Sequence, residues 1–172
     1  MSSDDTAGYL RFNGTTHPDA SFNPTQKAVL PVFPNLDTAD RGRMTFANVP
    51  PTLSLVLTSD LVIYLILRAD GPESVEMDTG VLVAPGAMED PGFHHRLGMI
   101  WSAAGEIIAQ DLHVDGLVQK GLRSRFAPRG RYSWQEGAQR AFNGWLAPRY
   151  QDCWRQSRAE AARPAMASRG EL

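Results

Sequence analysis

Asp111 lies in the run GEIIAQDLHVDGLVQKGL, residues 105–122, and its position asks for a chemical explanation. From Phe93 onward, apolar side chains recur at Phe93, Leu97, Ile100, Ala104, Ile107 with Ile108, Val114, Val118 and Leu122. Spacings of three and four put these residues on one face of a helix. Asp111 falls inside the series, between Ile108 and Val114. A carboxylate turned toward a core is costly unless it is paired, hydrogen-bonded or bound to a metal. Two readings follow. One is a structural ion pair with an arginine or a bond to a backbone amide, which periodicity alone favours. The other is a hard oxygen ligand or a catalytic base.

The histidines do not complete a site with it. His94 and His95 are adjacent near the helix start, so their side chains diverge by roughly 100°. His113 is two positions from Asp111 and on a different helical face, and His17 sits in the polar stretch GTTHPDAS. All four read as surface histidines. The chain has no H-E-x-x-H zinc motif, Walker loop, G-x-S-x-G elbow or dinucleotide G-x-G-x-x-G. Its single cysteine, Cys153, excludes an internal disulfide and any cysteine-rich metal site.

With 172 residues, 42% hydrophobic and 21% charged, the chain has enough apolar material for one globular domain. The longest apolar run, Leu61 to Leu67, is too short to span a bilayer, and the N-terminus MSSDDTAG is polar and acidic where a signal peptide is basic and then apolar. A cytoplasmic protein without membrane contact is the expectation. The net charge of −2 hides an asymmetry: residues 1–119 carry −9 and residues 120–172 carry +7. RSRFAPRGRYSW, residues 123–134, interleaves arginines with aromatics as some RNA-binding segments do. A solvated basic face or an acidic-to-basic subunit contact ranks above nucleic acid.

The elements that must position Asp111 are legible around it. Residues 1–25 are rich in turn formers and read as mostly loop, and LPVFPNL, residues 30–36, as a short extended segment broken by Pro31 and Pro34. Three strands follow. Residues 52–58 alternate with Leu53, Leu55 and Leu57 on one face; residues 61–68 are apolar on both faces; residues 74–84 alternate through Val75, Met77, Thr79, Val81 and Val83. Turns at Ser59-Asp60 and Asp70-Gly71-Pro72 make this an antiparallel meander with its middle strand buried on both sides. Asp90 then caps a helix with Pro91 at its first position, and the pattern runs to about Arg125 with a break expected near Gly116. Ser133 and Glu136 form a capping box for a second helix with the face Trp134, Ala138, Phe142, Trp145. The ordered domain is expected over residues 1–154, with a disordered tail over residues 155–172. Strands followed by long helices make the fold α+β, a twisted antiparallel sheet packed on a long C-terminal helix.

Residues 110–150, QDLHVDGLVQKGLRSRFAPRGRYSWQEGAQRAFNGWLAPRY, resemble the C-terminal end of the alpha subunits of Rieske non-haem iron oxygenases. The shared features are Gln110-Asp111, Gln119 with Gly121, the turn Gly130-Arg131-Tyr132-Ser133, and Glu136. The resemblance extends back through VLVAPGAMEDPGF and the strands, covering roughly residues 8–152, and is strongest for the branch with betaine, choline and carnitine-type monooxygenases beside ring-hydroxylating enzymes. It implies a partial helix-grip (START-like) domain, the C-terminal half of a catalytic domain. Asp111 would be the carboxylate of a 2-His-1-carboxylate triad on a mononuclear Fe(II), with dioxygen and substrate at the open positions and no protein nucleophile. Trp101, Ile107 and Ile108 would lie near the substrate pocket, and Gln119, Gly121, Tyr132, Ser133 and Glu136 would be structural.

The departures carry weight too. The family's two iron-binding histidines belong to a segment upstream of the equivalent of residue 1, and the [2Fe-2S] Rieske motif, which needs two cysteines and two histidines, has no counterpart here. The usual Trp after the aspartate is Leu112, and a commonly acidic position further on is Gly116. The resemblance therefore implies hydroxylation or demethylation of a small aromatic or quaternary ammonium substrate. Electrons would come from an NAD(P)H-dependent reductase, and a partner chain would carry the Rieske domain and the histidine ligands, or the chain would form a homo-oligomer. The alternatives are a truncated product of such an enzyme and an iron-free helix-grip subunit that binds a ligand or another protein.

Overall fold

The computed structural model describes residues 2–4, 9–12, 17–71, 73–127, 130–134 and 136–161. Six strands form one sheet in chain order: β1 (Ser2–Asp4), β2 (Tyr9–Phe12), β3 (Met44–Val49), β4 (Leu53–Leu57), β5 (Leu61–Ala69) and β6 (Val75–Val83). Every neighbouring pair is antiparallel. A short helix α1 (Thr38–Arg41), capped by the Asp37 carboxylate, precedes β3. A 3-10 turn (Ala87–Glu89) leads into α2 (Phe93–Leu122), and α3 (Gly137–Ala161) follows. The fold is α+β, an antiparallel sheet carrying long helices, as in a helix-grip domain.

Period-two alternation decides which residues form the core. The register aligns Phe46, Val56, Ile63 and Val81 on one face and Thr45, Leu57, Val62 and Leu82 on the other. The first face packs with Leu30, Leu61, Ala87, Phe93 and Ile100 into the buried core. The meander is therefore as the sequence indicates, with two corrections. β5 is buried only in its first half, because Leu67, Arg68 and Ala69 project with the hairpin into solvent. The sheet also holds more strands than the alternation reveals: β3 is short and polar at Thr45 and Asn48, and β1 and β2 lie within residues read as loop. Residues 31–36 form no strand; they turn at Asn35, whose φ is 67°. On the second face, Gly80 stands opposite Tyr64, and a Cβ there would collide with the phenol ring.

The β4–β5 turn is a buried polar knot. Asp60 is 0% exposed, and its Oδ2 accepts the amides of Val29 (2.9 Å) and Leu30 (3.2 Å), while Thr58 Oγ1 donates to its Oδ1 (3.1 Å). Ser59 adds a backbone N–H to Ala20 O and accepts the N–H of Phe33. A segment without regular structure is thereby fixed to the sheet, and it brings Leu30 into the core.

α2 begins at Phe93, two residues later than a Pro91 start, because Asp90 Oδ1 accepts the N–H of Gly92 (2.8 Å) while Gly92 takes the N-cap position. It runs unbroken through Gly116. α3 begins at Gly137, later than a Ser133 cap predicts; of the capping box, the Ser133 N–H is donated to Glu136, while the Glu136 N–H goes to the Ser133 carbonyl. Ala138 is buried and Phe142 and Trp145 are half-buried, whereas Trp134, expected on the same helical face, precedes the helix and is 83% exposed. The helix continues to Ala161, seven residues into the stretch expected to be tail; residues 162–172 lie outside the described residues.

Candidate functional site

The geometry of the site follows from one straight helix lying on a shorter support. Phe93, Leu97, Ile100 and Ala104 pack toward the sheet. Beyond Ile108 every residue to Phe126 is exposed, so the second half of α2 extends past the packed layer. Asp111 is one of these exposed residues. The burial expected for it is corrected: the stripe continues in sequence, but among the described residues Asp111 is exposed rather than covered.

Its direction is nevertheless fixed. From Phe93 to Asp111 is about five full turns, so Asp111 points the way buried Phe93 points, toward the sheet side. It stands about 10 Å beyond Ala104 along the axis. No ion pair involves Asp111 among the described residues, so the structural ion pair that periodicity favoured is not seen there. Asp115 lies one turn further on the same face, a second acid that the three-and-four spacing already contained. The far end of this exposed half is tied down, because Arg123 Nη2 pairs with Glu73 on the β5–β6 hairpin at 2.5 Å.

The other named residues divide. Ile107, 46% exposed, lines an open cleft of about 370 Å³ with Ser21, Phe22, Met44, Ala104 and Glu106. Trp101 and Ile108 are half-buried on the flank of the helix away from that cleft, and neither lines it. Phe22 and Met44 were not picked out from the sequence, since one sits in a coil and the other opens a strand interrupted by polar residues. His94 and His95 are exposed at the helix start, about 25 Å along the axis from Asp111. His113 is on the opposite face of α2. Among the described residues no three histidine, cysteine or acidic side chains stand close enough to hold a metal together.

The electrostatics are concentrated at the helix starts. The carboxyl of Asp90 lies below its ordinary range, held there first by the Gly92 N–H and then by Arg96. Glu136 is lowered in the same sense by its bonds from Ser133. No described helix is long and apolar enough to cross a membrane.

An α+β helix-grip domain whose long helix carries past the sheet, on the sheet side, a carboxylate with no ion pair among the described residues defines a class of domain that is left open at that point. Residues 1–152 match the family model of the ring hydroxylating alpha subunit, catalytic domain, and the chain belongs to that family, a catalytic-domain segment of the Rieske non-haem iron oxygenases. Searches of curated proteins and of solved structures found no match.

The described residues do not by themselves fit a 2-His-1-carboxylate centre. Among the described residues no histidine pair stands beside Asp111. No step of oxygen activation follows from these residues alone.

Proposed function

We propose that this chain supplies Asp111 as the carboxylate ligand of a mononuclear Fe(II) site whose two histidines come from residues beyond those described or from a partner chain. The reaction served is dioxygen-dependent hydroxylation or demethylation of a small aromatic or quaternary ammonium substrate, with the [2Fe-2S] cluster on a Rieske domain elsewhere. The observation that carries the reading is the direction of Asp111: in line with the core stripe, exposed and without an ion pair among the described residues, in a chain of this family. A helix-face carboxylate that is neither buried nor paired is free to take a cation once histidines approach. The exposed half of α2 leaves room for them.

Free imidazole can stand in for the missing histidines. Anaerobic Co(II) titration with saturating imidazole should give visible d–d bands that Asp111→Ala removes and Asp115→Ala retains, while no Fe(II) survives desalting without imidazole. Bands that persist in Asp111→Ala, or that do not depend on imidazole, would refute the assignment.

A second reading, iron-free ligand binding, is supported by the 370 Å³ cleft at Ile107. Saturable binding of an apolar fluorescent probe that is lost in Ile107→Glu, together with no metal response in the titration, would favour it.

A further inference from the structure

The cleft beside Ile107 carries a polar group that the fold does not use. Ser21 lines this cleft and is 0% exposed, and its Oγ has no hydrogen-bond partner among the described residues. The Ser21 backbone N–H is engaged, donated to Gln26 O at 3.2 Å, so the side chain alone is left over. A buried hydroxyl without a partner costs stability, and such a group calls for a ligand or a bound water to complete it. A serine hydroxyl can both donate and accept.

The other lining groups narrow what can lie there. Asn23 serves its own loop: its Oδ1 accepts the N–H and the hydroxyl of Thr25, and its Nδ2 donates to Lys27 O at 2.8 Å. It stiffens the rim and has no bond left for a guest. The walls are apolar, with Phe22 set edge-on to Phe46 at 6.2 Å between centroids, Met44 buried, and Ile107 facing them from α2. A thioether beside an aromatic side chain favours a flat ring. A single aromatic side chain makes no cage for a quaternary ammonium, which several ring faces enclose. Exposed Glu106 is the one charged lining residue among those described, so an anion is disfavoured.

We infer that Ser21 is a specificity-determining residue of this cleft, its hydroxyl anchoring the oxygen of a neutral aromatic alcohol or ketone whose ring lies against Phe22, Met44 and Ile107. Asp111 follows Ile107 by one turn, about 6 Å along the axis and on the same side of α2. A ring held in the cleft lies short of Asp111 and leaves its carboxylate uncovered. The role of this molecule as a substrate rests on the iron reading of Asp111; its binding does not, and the test contains no metal.

Dissociation constants of benzyl alcohol and ethylbenzene, which match in size, can be read from ligand NMR titrations of the full chain without metal. Ser21→Ala should weaken benzyl alcohol about fivefold, the worth of one net hydrogen bond, and leave ethylbenzene unchanged or tighter. Ser59→Ala is the control: its Oγ is equally buried and without a partner among the described residues, but Ser59 is not among the residues that line the cleft, so neither ligand should shift. Ile107→Glu should abolish binding of both ligands, with circular dichroism confirming that the variant is folded. Equal weakening of both ligands by Ser21→Ala, no change for the alcohol, or no binding of either ligand to the unsubstituted chain would each overturn the inference. Absence of the Co(II)–imidazole bands with this pattern intact would refute the iron site alone and leave the assignment of Ser21 standing.

Discussion

Asp60 and Asp111 show why an aspartate inside an apolar pattern has no single meaning. Asp60 sits in the short turn between two apolar strands and is fully buried, accepting two backbone amides and a threonine hydroxyl. Removing its carboxylate strands those donors, and a buried unsatisfied donor costs about 1–3 kcal/mol. Asp60→Ala should therefore lower stability by about 3 kcal/mol in urea unfolding, with the loss reaching the core through Leu30. Asp111, on the more regular stripe, is exposed and forms no ion pair among the described residues. Its replacement by Ala should change unfolding by no more than about 0.5 kcal/mol, as for other surface sites, while abolishing the Co(II)–imidazole signal. A large destabilisation would indicate a structural ion pair and remove the metal role. The types of both residues were plain in the sequence, but their environments were not, because a turn aspartate and a stripe aspartate exchange roles once the chain decides what covers them.

At the scale of elements, the helix starts are where side chain and backbone agree. Asp90 and Glu136 each accept a backbone N–H, and both carboxyls are held below the ordinary carboxylate range. A depressed native pKa adds stability that is complete above the unfolded value of about 4 and is lost as the pH falls through the native value. Helicity followed from pH 6 down to 2.5 should thus fall in the acid limb, and Asp90→Asn with Glu136→Gln should begin lower and show less of that fall. The capping residues were readable because caps are local, a donor and an acceptor within three residues needing no tertiary partner, but both helices begin later than those residues predict, at Phe93 and Gly137. β1, β2 and β3 were not readable, since each is short and is held by its neighbour's ladder more than by its own alternation. The same holds for the end of α3, where an arginine- and alanine-rich segment without an apolar period continues a helix already begun.

At the scale of the molecule, the stable part is the sheet from β3 to β6 with the first half of α2, joined by the Asp60 knot and the core around Leu61 and Ile100. The distal halves of both long helices lie outside it. Amide hydrogen exchange in dilute, high-salt solution should show slow exchange for residues 55–65 and fast exchange for residues 109–122 and 147–160. Uniform protection in the dilute state would mean that the helices are supported within one molecule.

What the sequence determined alone was periodic and local: the meander, the two helices, their caps, the direction of Asp111 within its stripe, and the residues by which the chain resembles its family. These follow from spacing along the chain, which needs no knowledge of what lies opposite. The tertiary structure decided burial: that the stripe outruns the sheet, that Asp60 is enclosed, and that no histidine among the described residues joins Asp111. The physical reason is that a helical pattern fixes an angle about an axis, whereas the water removed from that angle depends on how far the neighbouring layer extends.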